Sequence, residues 1–247
     1  MKKIIIANLK MNPATLGEAE KLLKEIKRGR TSRGMEVVFC PPFVYLGALY
    51  KKVGMGVKLG AQDAFWKEFG AFTGEISPLM LKKMGVSYVI LGHSERREHL
   101  GETDQMINHK VKAALKVGLK VVLCVGERER VPDELPPLVR QELVAGLAGI
   151  SKRLARNIIV AYEPLWAIGT GHPDSPENLF EMSIYIRRII LDIFGKPAAH
   201  NMPVLYGGSV DDKNARAFLE ADGVNGLLVG GASLDAKKFK KILEAAR

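Results

Sequence analysis

The sequence predicts a single closed (β/α)8 barrel over residues 1–247, eight parallel strands ringed by helices. Three features carry this expectation. Eight short runs rich in Val, Ile and Leu recur along the chain, most of them continuously apolar, as strands buried on both faces are. Helix-period patterns separate them. Eight such units in 247 residues leave about 31 residues each, the size of a closed barrel. A doubly wound sheet usually has fewer strands and a glycine-rich first turn, whereas here that turn reads Ala7-Asn8-Leu9-Lys10-Met11-Asn12.

The first run, residues 4–7, delivers Asn8 and Lys10 to the strand's C-terminal end, where barrel enzymes hold their chemistry. A helical pattern over 16–27 follows, with Leu22, Leu23 and Ile26 on one stripe. Runs at 36–40 and 57–61 come next, and the latter leads to Gln62-Asp63 and a loop reaching Glu75. The run at 88–91 ends in Gly92-His93-Ser94-Glu95-Arg96-Arg97, which reads as a helix start. A helical stripe over 104–117 (Ile107, Val111, Ala114, Leu115) precedes the run at 121–125. The Pro-rich piece 131–137 reads as a loop entering a helix, not as a domain boundary. The run at 158–161 leads to Tyr162 and Glu163, and the longest helical pattern, 176–194, follows. The last two runs, 204–206 and 226–229, end in Gly207-Gly208-Ser209 and Gly230-Gly231-Ala232-Ser233. An amphipathic helix over 235–247 closes the chain.

The stretch AYEPLWAIGTG, residues 161–171, organises the rest. Glu163 stands at a strand tip, and Pro164 biases it toward extended backbone. Leu165, Trp166, Ala167 and Ile168 are apolar where a solvated loop would be polar, and Gly169 and Gly171 flank Thr170. This reads as a base beneath a lid over residues 164–174; a tight turn bearing a surface glutamate is the plain alternative. His93 at a helix start fits a neutral ring that donates a hydrogen bond, with a structural histidine as the plain alternative. Lys10 fits a fixed charge beside a phosphate or a developing oxyanion; an ordinary surface lysine is the alternative. Asn8 either orients Lys10 or substrate, or serves as a strand-end turn residue. The glycine turns after the seventh and eighth strands offer bare N–H groups for an anion, although glycine is common in any turn.

The net charge of +10 fits a solvated basic surface or steering of an anionic small molecule. Nucleic acid is not expected as a partner, because the Lys and Arg residues are scattered and not interleaved with aromatics. No apolar run approaches the ~18 residues of a membrane span, and no signal-peptide pattern opens the sequence, so a cytoplasmic location without membrane association is expected. Cys40 and Cys124 each close an apolar run and read as buried free thiols. No His, Cys or carboxylate spacing suggests a metal, and no cofactor is expected.

With these residues placed, the chain resembles the triosephosphate isomerase family over essentially its whole length. The resemblance rests on Asn8-Leu9-Lys10-Met11-Asn12, Gly60-Ala61-Gln62-Asp63, the stretch from Gly70 to Glu75, the Gly92-His93 segment, Cys124-Val125-Gly126-Glu127, AYEPLWAIGTG and the two glycine turns. It implies a glycolytic and gluconeogenic isomerase interconverting dihydroxyacetone phosphate and D-glyceraldehyde 3-phosphate through an enediolate. On that resemblance Glu163 is the base, His93 the neutral electrophile and Lys10 the electrostatic stabiliser. Asn8 lies beside Lys10, Glu95 contacts it, and Ser94 sits near the base in an open form. Gly169, Ser209, Gly230 and Gly231 grip the phosphate, Ile168 and Leu228 close over the base, and Cys124 is structural. Phe72, Thr73, Gly74 and Glu75 enter a neighbouring subunit in a homodimer, bringing Thr73 to the partner's Asn8 and Glu95. Departures are Leu9 where the family usually has Trp, a divergent segment 128–155, and Pro173 at the lid's C-terminal hinge, expected to stiffen it. Another sugar-phosphate isomerase barrel, or an inactive basic binding protein, are the alternatives to this function.

Overall fold

The computed structural model describes residues 2–29, 34–54, 56–131, 134–167 and 173–246. In order, the elements are β1 (Lys3–Asn8), α1 (Leu16–Gly29), β2 (Met35–Cys40), α2 (Phe43–Val53), β3 (Val57–Ala61), α3 (Pro78–Met84), β4 (Tyr88–Leu91) and α4 (Ser94–Leu100). They continue with α5 (Asp104–Lys116), β5 (Lys120–Glu127), α6 (Pro137–Gly146), β6 (Ile158–Pro164), α7 (Pro176–Phe194), α8 (Lys196–Asn201), β7 (Val204–Tyr206), α9 (Ala215–Glu220), β8 (Gly226–Val229) and α10 (Ala236–Ala245). The strands pair in sequence order, all parallel, and β8 returns to β1 to close the barrel. This is the (β/α)8 architecture the sequence predicts.

Two layers of apolar packing follow from the strand pattern. Alternate strand residues such as Ile5, Val37, Val89, Val121 and Val160 face outward, where helix residues including Leu23, Ile107, Leu143 and Ile186 cover them. The others, among them Ile6, Val38, Ile90, Val122 and Leu205, fill the barrel interior together with both free cysteines. Strands buried on both faces need no polar positions, which is why their runs are continuously apolar.

The closing seam decides where the site forms. Ile4 pairs with Gly226 and Ala7 with Val229. A Cβ on Gly226 would stand 1.8 Å from the Ile4 carbonyl oxygen, so only glycine lets the first and last strands approach this closely. The seam sets Asn8 and Lys10 beside Gly230: Ser233 Oγ donates to the Asn8 carbonyl at 3.3 Å, and the Lys10 side chain lies over Gly230.

Two strands run further than the sequence predicts. β5 extends to Glu127 and β6 to Pro164, pairing Gly126 with Glu163 and Glu127 with Pro164. The sequence gives no β signal there because Gly and Pro are poor strand formers. The pairing holds because Gly126 lets the two backbones meet: a Cβ there would lie 2.0 Å from the Glu163 carbonyl oxygen. Of the helices read from the sequence, 176–194 has the same bounds as α7, and the last begins one residue later than expected, with Asp235 as its N-cap.

Candidate active site

Five strand ends, those of β1, β4, β6, β7 and β8, bring the predicted residues together. β1 ends in Asn8, which is buried, and its Oδ1 accepts the Lys10 N–H at 3.1 Å. Lys10 adopts a left-handed backbone with φ 52°, uncommon for a non-glycine residue. From just past the end of β3, Gln62 Nε2 holds that turn by donating to the carbonyls of Lys10 (2.8 Å) and of Cys40 at the end of β2 (2.9 Å). A left-handed turn costs about 1–3 kcal/mol, and these two side chains offset it. The turn aims the Lys10 ammonium at Glu95, with which it forms an ion pair at the barrel mouth.

His93 ends the β4 segment as the N-cap of α4. Its Nδ1 accepts the Glu95 N–H at 3.3 Å, so in this arrangement the ring proton sits on Nε2. That tautomer leaves an N–H donor facing away from the helix. The ring lines a cavity of about 340 Å³ together with Asn8, Lys10, Ser209, Gly230 and Gly231. Leu228 forms part of its apolar wall. The size suits a small, polar ligand.

Glu163 is 1 % exposed and stands behind this cavity. Its Oε2 accepts the Ser94 N–H at 2.9 Å, and its Oε1 lies 3.2 Å from His93 Nε2. That second contact lacks hydrogen-bond geometry, so Oε1 has no hydrogen-bond partner among the described residues. A buried carboxylate oxygen without a partner is costly, and such oxygens cluster where a reaction needs a ready acceptor. Gly207 makes room for it, since a Cβ there would meet Glu163 Cγ at 3.0 Å. The carboxylate faces a second cavity of about 290 Å³, lined also by Gly126, Leu165, Arg97 and Glu142.

The ends of the expected lid are anchored. Trp166 Nε1 donates to Glu127 Oε1 at 3.3 Å, and the Tyr162 hydroxyl donates to the same oxygen at 2.7 Å. On the far side, Asp174 N–H donates to the Tyr206 hydroxyl at 3.1 Å. Burial raises the Asp174 carboxyl above its ordinary range, against the Asn178 and Ser175 hydrogen bonds. Ile168 and Gly169, predicted to contact substrate, lie outside the described residues, as do Thr170, Gly171 and His172. Pro173 is exposed.

Cys124 is fully buried, and burial first, then the adjacent Glu163 carboxylate, push its thiol well up; it is a packing residue and no nucleophile. Below the site, Lys110 binds Asp63 at 2.8 Å and pairs with Glu102, while Arg96 reaches both carboxylates. Burial pushes Asp63 up to about 6. This buried network fixes the start of α4, and with it His93, against α5. Residues 69–75, which include Phe72, Thr73, Gly74 and Glu75, form an exposed loop whose base is closed by Phe65 N–H on the Ile76 carbonyl at 2.8 Å. Phe69 at its start is 80 % exposed.

Among the described residues no group of three or more His, Cys, Asp or Glu side chains could hold a metal ion. Gln62, Arg97 and Glu142 hold the site, and the sequence assigned them no role. Gln62 and Arg97 lie inside quoted motifs, whereas Glu142 had only one signal, a carboxylate on the same helical stripe as Val139, Leu143 and Gly146.

The model of the family described as triosephosphate isomerase matches residues 3–246. Curated relatives named triosephosphate isomerase agree over nearly full length. The one from Dictyoglomus turgidum is 43 % identical over 250 residues, covering 99 % of each chain. That from Dictyoglomus thermophilum is 42 % identical over 248 residues, again covering 99 % of each. One from Dehalococcoides mccartyi is 45 % identical over 251 residues, covering all of this chain and 97 % of its own. The likeness runs through all eight strands and leaves no element of the barrel unmatched, and the chain belongs to the triosephosphate isomerase family.

Proposed function

We propose that this chain, acting as one barrel domain, interconverts dihydroxyacetone phosphate and D-glyceraldehyde 3-phosphate. One observation carries the assignment of roles: a buried carboxylate with an open oxygen, Glu163 Oε1, stands 3.2 Å from the ring nitrogen of a histidine at the wall of a polar cavity. Glu163 takes the proton from the carbon next to the substrate carbonyl, leaving an enediolate, and returns it to the neighbouring carbon. The His93 Nε2–H polarises the carbonyl and then passes protons between the two enediolate oxygens. Lys10, held by Asn8 and Gln62 and paired with Glu95, offsets the negative charge that develops. Ser209, Gly230, Gly231 and, from the lid, Gly169 hold the phosphate through backbone N–H groups, and Ile168 and Leu228 keep water from the base. Exclusion of water matters because the enediolate phosphate otherwise eliminates phosphate. No metal or cofactor takes part in this scheme.

The test is isomerisation in both directions by the purified chain, with Glu163→Gln as control. The control should lose about 10²–10⁴-fold in kcat, the usual worth of a general base. An inactive wild type, or equal activity in the control, overturns the reading.

The exposed loop 69–75 with Phe69 and Phe72, together with Met11 at 93 % exposure beside Lys10, supports a homodimer in which Thr73 approaches the partner's site. Size-exclusion chromatography with light scattering should give twice the chain mass; a fully active monomer at micromolar concentration removes the proposal. Among the described residues no helix is long and apolar enough to cross a membrane. Two buried free thiols support a cytoplasmic location.

A further inference from the structure

The cavity behind the base holds a carboxylate that the isomerase reading leaves unused. Glu142 lies on the inner stripe of α6 and is buried. Its Oε2 accepts the Gly126 N–H at 2.9 Å, and its Oε1 lies 3.3 Å from Arg97 Nη1. Arg97 also donates through Nε to the Gly92 carbonyl at 2.8 Å and through Nη1 to Asp104 Oδ1 at 2.6 Å. Gly126 is the residue that pairs with Glu163 across β5 and β6, where a Cβ would lie 2.0 Å from the Glu163 carbonyl oxygen. Glu142 therefore grips the backbone directly behind the base, while its partner Arg97 grips the strand end that delivers His93.

An acceptor for one backbone N–H need not be charged, since a glutamine would serve with far less desolvation. Burial pushes the Glu142 carboxyl up to about 7, Arg97 and the Gly126 N–H act against this, and Asp104 and Glu163 add to it. The titratable and charged groups around it are Arg97 and Glu98 from α4, Glu102 and Asp104 at the start of α5, Cys124 from β5, Arg128 after β5, and Glu163 from β6. On the other side of α6, Arg140 turns away to Asp192 of α7.

We propose that Glu142 is a positioning residue for the isomerisation: it holds Gly126 and, through it, the Glu163 backbone in reacting register, and its ionised form strengthens the pull of Glu163 on the substrate's carbon-bound proton. The inference deepens the isomerase reading and rests on it. Ionised Glu142 keeps the Arg97 pair and places an anion behind the base. Protonated Glu142 loses both effects.

The test compares kcat and KM of wild type, Glu142→Gln and Glu142→Asp across the neutral pH range. Wild-type kcat should rise through a transition at about pH 7. In Glu142→Gln that transition should vanish and kcat above it should fall by roughly tenfold with KM unchanged, within the 10²-fold that a slight misplacement of a catalytic group costs. Glu142→Asp retains a carboxylate and should keep the transition at a lower kcat. An active Glu142→Gln variant with the wild-type profile, or one lowered equally at every pH with its transition intact, overturns the inference and leaves the isomerase reading standing. Absence of isomerisation by the wild type at every pH overturns that reading, and this inference with it.

Discussion

The two cavities on either side of Glu163 are built from different materials. The front cavity is lined by the glycine turns after β7 and β8, by Asn8 and His93, and by Lys10, whose partly exposed ammonium pairs with Glu95. It offers backbone N–H groups at Gly230 and Gly231, the Lys10 ammonium and the His93 ring. The rear cavity is lined by ionisable groups, with Glu98, Glu102, Asp104, Glu142 and Glu163 set against Arg97 and Arg128; Asp104 and Glu142 both pair with Arg97. The front thus presents fixed dipoles, while the groups packed around Glu163 at the rear are ionisable. Rigidity suits the first task because donors must wait where charge develops. Sensitivity to protons belongs to the second.

The largest expected effect breaks the front. Lys10→Met keeps the side chain's length and removes its charge, and should lower kcat/KM about 10²–10³-fold, measured by steady-state kinetics. Its thermal stability should change little, because the Lys10–Glu95 pair is partly exposed and such pairs contribute about 0–1 kcal/mol. The next effect breaks the rear. Gly126→Ala drives a methyl into the Glu163 carbonyl at 2.0 Å, a backbone contact that no rotamer relieves. Overpacking of this kind costs about 1–3 kcal/mol, so denaturant unfolding should report that loss together with a fall in kcat. A variant with wild-type stability and kcat would show that the β5–β6 approach does not position the base.

The smallest and most discriminating effect concerns pH. The folded Glu142 carboxyl holds its proton up to about pH 7, whereas its ordinary value is 4.5. Between those values the unfolded chain ionises first, so the contribution of this residue to stability falls as pH rises through that window and stays low above it. The difference is worth at most about 3 kcal/mol above pH 7. Glu142→Gln should therefore melt higher than wild type above pH 7, with the gap closing toward pH 4.5. Stability and kcat would then move in opposite directions in a single variant. A lower melting temperature at every pH would count against this account of the rear cavity.

The legibility of the molecule in its sequence follows the same division. The strands were readable because burial on both faces leaves few polar positions, such as Glu36 and Lys58, and α7 because Leu179, Met182, Ile186 and Ile190 form a clean stripe. The helix α2 was not, since its pattern is blurred by Val44, 82 % exposed, and by Tyr50, 46 % exposed. The helices α8 and α9 have six residues each, too short to set up a period. In the site, Lys10, His93 and Glu163 were legible because each follows an apolar run at a strand end. The support beneath them was not. Gln62 bonds to backbone 52 and 22 positions away, and Glu142 reaches Gly126 from a separate helix. Such contacts arise only when the barrel brings distant segments together, and no local pattern announces them.

The seam between β1 and β8 has a consequence for how the protein comes into being. Parallel pairing between residues near 4 and 226 spans most of the chain, and such non-local pairing is slow to form. During synthesis β1 keeps one edge open until β8 has emerged, and an open edge invites association with other chains. The same seam seats Asn8 against Ser233 and Lys10 over Gly230, so the front cavity does not exist in any partial barrel. Appearance of isomerase activity during refolding should therefore lag behind strand formation and mark the moment of closure.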